Sequence, residues 1–151
     1  MRNTTKIYYI PGRFFLIVLL WIGWVSRAMA GEVVVIVNKD NPTTNMTPAQ
    51  VSDLYLGRNR VFPNGEPAHV IDQPRDSLLR EQFFERVNGM SLNQVNTYWA
   101  RLTFSGRVLP PVAQKDSSTA RKAVEGDEKA VSYVDEIALQ PSVKQVLILD
   151  E

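Results

Sequence analysis

Asp72-Gln73-Pro74-Arg75-Asp76-Ser77 runs directly into Leu78-Leu79-Arg80-Glu81-Gln82-Phe83, and this stretch has the residue types to hold a small anion. A strand end, a short loop and a helix start follow one another there. A helix start offers N–H groups with no intrahelical acceptor and the positive end of the helix dipole, which together make a natural anion site. Ser77 adds a hydroxyl, and Arg75 and Arg80 add charge. Plain capping by Asp76 or Ser77, with Arg75 solvated, accounts for the same residues and is the reading that local chemistry favours. Asp76 would repel an anion at that spot. Arg80 also has an alternative place on the helix surface, paired with Glu81 or a neighbour.

No catalytic constellation can be assembled elsewhere. The sequence has no Walker loop, no dinucleotide glycine pattern, no nucleophile elbow and no paired-His metal motif. A hydrolytic triad could draw only on His69, which sits between Ala68 and Val70 in a strand-like run and reads as structural. The pairs Asp127-Glu128 and Asp135-Glu136 read as solvated loop and strand-end faces. With no Cys and a single His, a transition-metal site is not expected, and disulfides are excluded. The chain is therefore expected to be a non-enzyme that needs no cofactor.

The elements that must position the Asp72–Phe83 stretch are legible from pattern. Glu32 to Asn38 is a nearly continuous β-branched run, as in a strand buried on both faces. Thr47-Pro48-Ala49-Gln50 carries a capping box with Pro at the first helical position. Val51, Leu54 and Tyr55 continue at helical spacing, and Gly57 stops the helix as a left-handed cap. Asn64-Gly65 is a tight turn, and Ala68 to Ile71 a short strand. Asp76 or Ser77 caps a second helix to about Val87, with Leu79, Phe83, Phe84 and Val87 as its apolar stripe. Ser91 caps a third, ending near Gly106. Pro110-Pro111 marks an irregular connection, and Ser117 or Ser118 starts a fourth helix to Glu125. Ala130 to Val134 and Val143 to Leu149 are strands. Helices alternating with strands predict an α/β domain with a helix-covered, largely parallel or mixed sheet. Tyr98, Trp99 and Phe104 form the densest aromatic cluster and are expected in the core. Exposed, Trp99 and Phe104 would mark a partner surface instead.

The N-terminus reads as a cleavable secretory signal spanning 1–30. Arg2, Lys6 and Arg13 precede the apolar run Phe14 to Val25, and Ala28-Met29-Ala30 offers a small-x-small cleavage site. The run falls short of the roughly 20 apolar residues of a spanning helix, so no membrane span is expected after cleavage. Periplasmic or secreted localisation follows, with 31–151 as one α/β domain. The whole chain has 17 basic and 16 acidic residues, but 1–30 holds four of the basic and none of the acidic ones. Residues 31–151 thus carry 13 basic against 16 acidic, a net charge of −3. That balance gives no electrostatic case for nucleic acid.

From Val33 to Leu149 the chain resembles the second lobe of phosphate-type substrate-binding proteins of ABC importers. The matching pieces are VVVIVNKDNP (Val33 to Pro42), the Thr47-Pro48-Ala49-Gln50 helix leading to DLYLGRNRVFPNGEP (Asp53 to Pro67), LREQFFERV (Leu79 to Val87) and AVSYVDEIAL (Ala130 to Leu139). The Leu56-Gly57 exit followed by Phe62 and Asn64-Gly65 is the most specific of them. The resemblance implies a single lobe of a type II periplasmic-binding-protein-like fold. Full-length members supply an Arg, then Ser-Gly-Thr just before an Arg-Glu pair, as ligand-binding positions in this lobe. Aligned on Arg80-Glu81, the Ser falls on Ser77 and is kept. The Gly and Thr fall on Leu78 and Leu79, and the Arg falls on Gln73, with Arg75 two residues away. Charge-assisted hydrogen bonds to several oxygens carry phosphate recognition, so these departures imply weak binding. A lone lobe also leaves a ligand half solvated, where charged contacts are screened.

The expectation is a secreted binding or adaptor module. Phosphate or another small anion would bind it weakly, or only at an interface shared with a protein partner or a second copy. The alternative is the phosphate or oxyanion substrate-binding component of an ABC importer. The anion-contacting candidates are Ser77, Arg75, Gln73 and Arg80.

Overall fold

The computed structural model describes residues 31–106 and 108–150. The expected signal, residues 1–30, lies outside the described residues. The order of elements is β1 (Val33–Asn38), α1 (Pro48–Tyr55), β2 (His69–Asp72), α2 (Leu78–Asn88), α3 (Leu92–Phe104), β3 (Val112–Ala113), α4 (Ser117–Glu125), β4 (Ala130–Asp135), a 3-10 turn (Glu136–Ala138) and β5 (Val143–Leu149).

The strands form one sheet in the order β3-β2-β4-β1-β5. β1 is buried along its whole length, as its unbroken β-branched sequence demands of a strand covered on both faces. It runs antiparallel to both neighbours, with Val35 opposite Tyr133 on β4 and Leu147 on β5. β2 is parallel to β4 and to β3. The sheet is therefore mixed. Its parallel part, β3-β2-β4, carries the crossover helices and the strand end that precedes α2.

Alternation along β1 divides the core in two. Val33, Val35 and Val37 face Leu54, Tyr55, Phe83, Phe84 and Trp99, so α1, α2 and α3 cover one side. Val34 and Ile36 face Ala120 and Val124, so α4 covers the other. Tyr55, Phe83 and Tyr133 pack as an aromatic centre on the first side, with Phe83 stacked on Tyr133 at 3.7 Å between ring centroids.

Helix ends follow local chemistry closely. Thr47 and Ser91 make full capping boxes with Gln50 and Gln94. Ser77 caps α2, its Oγ accepting the Arg80 N–H. Gly57 (φ 65°) and Gly89 (φ 69°) take the left-handed conformation just past α1 and α2. α4 starts at Ser117, as expected, and Asp116 before it is the cap, its carboxylate accepting the Thr119 N–H at 2.7 Å. The Pro110-Pro111 connection leads into an edge strand, β3, too short to leave a sequence pattern. Among the described residues no helix is long and apolar enough to cross a membrane.

Candidate functional site

β2 ends on Asp72 and α2 begins at Leu78, so the loop between them delivers the candidate residues to the C-terminal edge of the parallel strands. That edge is where α/β sheets place ligands. The structure brings together Gln73, Arg75, Ser77 and Arg80, but it gives each a different task.

Arg80 turns inward. It is buried, and its Nε donates to Asp72 Oδ2 at 2.9 Å. Its Nη1 donates to the Arg75 carbonyl at 3.2 Å and to Asn96 Oδ1 at 2.9 Å. The guanidinium lies over the Phe84 ring at 5.0 Å. The surface alternative, paired with Glu81, is thus corrected: the partner is Asp72, eight residues back, because the turn into α2 folds the helix's first turn over the strand end. Asp72 also accepts the Gln73 N–H at 2.8 Å and the Tyr133 hydroxyl at 2.5 Å, both on Oδ1. A buried charge is tolerated when it is paired and hydrogen-bonded, and Arg80 and Asp72 are both.

Gln73 is buried too. Its Nε2 donates to the Tyr133 carbonyl at 2.8 Å, so the side chain braces β4. Ser77 is half-buried and already engaged as the α2 cap. The N–H groups of Leu78 and Leu79, at the first two positions of α2, have no intrahelical acceptor. Leu78 itself is exposed. Arg75 is the one exposed cation of the four candidates.

Burial, and then the Asp72 carboxylate, push the hydroxyls of Tyr55 and Tyr133 well above their ordinary pKa. The Tyr55 hydroxyl donates to the Ile71 carbonyl at 3.0 Å. Tyr55, Asp72, Asn96 and Tyr133 were invisible as a group in the sequence: they come from α1, β2, α3 and β4, and no spacing rule links them.

Two open clefts flank this network. The first, of about 540 Å³, lies between α3 and residues 110–113, with Asp72, Arg75, Arg80 and Asn96 on its polar side and Trp99, Phe104, Pro110 and Pro111 on its apolar side. The second, of about 450 Å³, continues past Trp99 and Pro110-Pro111 to Arg60, His69 and Asp127. His69 is exposed, with Nδ1 2.6 Å from Asp127 Oδ2. Partial burial raises the Asp127 pKa, but hydrogen bonds from His69 and the Lys129 N–H outweigh it and hold that carboxyl below its usual range. No serine, threonine or tyrosine lines that cleft, so this His–Asp pair faces no hydroxyl nucleophile there. Among the described residues no group of His, Asp and Glu is placed to hold a metal ion.

The aromatic cluster splits. Trp99 is 6% exposed and packs in the core, its ring tip against Gly57. The Tyr98 hydroxyl donates to the Leu56 carbonyl at 2.7 Å. Phe104, expected in the core, is 96% exposed. It is the last residue of α3, five beyond Trp99 and off the face that Val95 and Trp99 bury.

No protein-family model matches the chain, and no curated protein matches it. Solved structures do. A phosphate ABC transporter substrate-binding protein with bound phosphate, from Clostridium perfringens, superposes with a TM-score of 0.60 at 22% identity, over 77% of this chain and 44% of that one. An ABC-type phosphate transport receptor from Vibrio cholerae gives 0.60 at 19% identity, over 77% and 45%. PstS from Borrelia burgdorferi gives 0.59 at 7% identity, over 77% and 46%. The chain thus spans less than half the length of these neighbours. Its fold is that of a single lobe of a phosphate-type substrate-binding protein, matching the resemblance carried by the sequence.

Proposed function

We propose that this chain is an exported binding or adaptor module built on one binding-protein lobe, in which any grip on a phosphate-like anion is completed by a second surface. The observation that carries this is the inward commitment of Arg80. Its charge is matched by Asp72, leaving exposed Arg75 and the Leu78 and Leu79 N–H groups as the free anion-binding elements of the α2 start. The position where the resemblance places the family's ligand arginine is Gln73, and that amide points to the Tyr133 carbonyl. Solvent-exposed contacts of this kind contribute little in water, where charges are screened. Export through residues 1–30 belongs to the same proposal. Mass spectrometry of the protein recovered from outside the cytoplasm tests it, with a mature chain starting at Gly31 expected.

Isothermal titration of the purified protein with inorganic phosphate tests the central reading. Weak or undetectable binding is expected. Micromolar binding, lost in Ser77→Ala, would instead establish a phosphate receptor. An enzyme is disfavoured, since the neighbouring folds are substrate-binding proteins and no hydroxyl nucleophile accompanies His69.

A further inference from the structure

We propose that the paired clefts around Pro110-Pro111 form a docking groove for an extended acidic segment, with large apolar side chains, of a partner protein; this rests on the adaptor reading and names the chemistry of its partner. The groove's rim is apolar and uncovered. Phe104 is 96% exposed, Leu109 77% and Val112 67%, and all three border the two clefts. A contiguous apolar patch on an exposed edge marks an interaction surface.

Charge identifies the occupant. Residues 31–151 carry a net charge of −3, yet the clefts present cations. Arg75 lines the first and Arg60 the second, while Arg101 lines an adjoining hollow that shares Arg75, Asn96, Ala100 and Phe104 with the first; none of the three has a salt-bridge partner among the described residues. The acidic residues of the first two clefts, Asp72 and Asp127, are already paired with Arg80 and His69. Unpaired arginines beside an apolar rim, on a domain that is acidic as a whole, are complementary to an acidic ligand with apolar side chains.

Shape and backbone narrow the class further. The clefts are concave, on the scale of about 300–1,000 Å³ that receives side chains or small ligands, whereas a lipid surface would meet a flat or convex face. β3 is an edge strand whose outer side is unpaired among the described residues. Its backbone can therefore pair with an added strand, the mode in which main-chain bonds give affinity and flanking pockets take alternate side chains. A second copy of this chain fits poorly. At a two-fold interface the same patch meets itself, which would set Arg75 and Arg101 against their own counterparts.

The test is fluorescence polarisation with a short fluorescein-labelled peptide alternating Asp with Phe and Leu, beside the same peptide with Lys for Asp. The acidic peptide is expected to bind, more weakly as salt rises. Phe104→Ser and Arg101→Glu should each weaken it by about tenfold, as loss of one interface anchor does. Arg101→Glu should also gain affinity for the Lys peptide, which a merely structural arginine would not produce. Ile148→Ser on β5, at the opposite edge of the sheet, should change nothing. Phe104 and Arg101 are exposed, so neither variant threatens the fold. Failure of the acidic peptide to bind, equal binding of both peptides, or its displacement by phosphatidylglycerol vesicles with the same sensitivity to Phe104→Ser, would overturn the proposal. Tight phosphate binding in the calorimetry would overturn the adaptor reading instead, so the two failures are distinguishable.

Discussion

Arg80 shows how far a single residue's role can depend on a partner that local sequence does not point to. Ser77 was legible as a cap because capping is local: the hydroxyl serves an N–H three residues on. The inward turn of Arg80 was not, because Asp72 lies across a loop and its other ligand, Tyr133, comes from β4. The pair's energetics can be measured. Arg80→Met strands a buried carboxylate and should destabilise the protein by about 3–5 kcal/mol, the usual cost of breaking a buried pair from one side. Adding Asp72→Asn should recover part of that loss, since the uncompensated charge is gone. Urea denaturation followed by Trp99 fluorescence reads both, because Trp99 is the one Trp in residues 31–151. A double variant as unstable as Arg80→Met alone would mean that the charge is not what the pair manages.

Elements were read well wherever their signals were local. The capping box at Thr47, the cap at Ser91, the glycine after α1 and the apolar stripe of α2 all stand where local sequence placed them. β3 escaped because two residues carry no period, and Phe104 was misplaced because residue type groups it with Tyr98 and Trp99, although five residues past Trp99 it falls off the face that Val95 and Trp99 bury. Gly57 and Gly106 provide a matched comparison of what a helix exit demands. Both have positive φ, 65° and 67°, so Ala at either should cost about 1–2 kcal/mol for the left-handed backbone. At Gly57 the new Cβ would also lie 3.0 Å from Trp99 Cη2 and 3.4 Å from Val108, while at Gly106 it meets nothing within 4 Å. Gly57→Ala should therefore lower the thermal midpoint more than Gly106→Ala, and equal midpoints would mean that the Trp99 contact yields freely. At α4, Asp116→Ala removes the acceptor of both the Thr119 N–H and its hydroxyl. The expected loss is about 1 kcal/mol, read by urea denaturation.

For the whole molecule, the polar network under the site is also the bolt between its layers. Asp72 and Ile71 on β2, Tyr133 on β4, Tyr55 on α1 and Arg80 on α2 are joined by hydrogen bonds, so opening any one layer exposes the others. This couples alkaline pH to global stability. Folding raises the pKa of Tyr55 and Tyr133, through burial first and Asp72 second. The sign follows from linkage. Below the unfolded tyrosine pKa of about 10 both states hold the protons and stability is unaffected. Above it the unfolded chain releases protons that the folded chain retains, so stability falls as pH rises, by about 1.4 kcal/mol per pH unit for each tyrosine. Urea midpoints taken from neutral pH to about pH 11 should hold level and then drop with this slope. Tyr133→Phe should start lower, because it removes a hydrogen bond to Asp72, and then fall less steeply, because one of the two titrating groups is gone. If the variant fell as steeply as the parent protein, the alkaline loss would come from elsewhere. The network would then hold the layers together without sensing the proton.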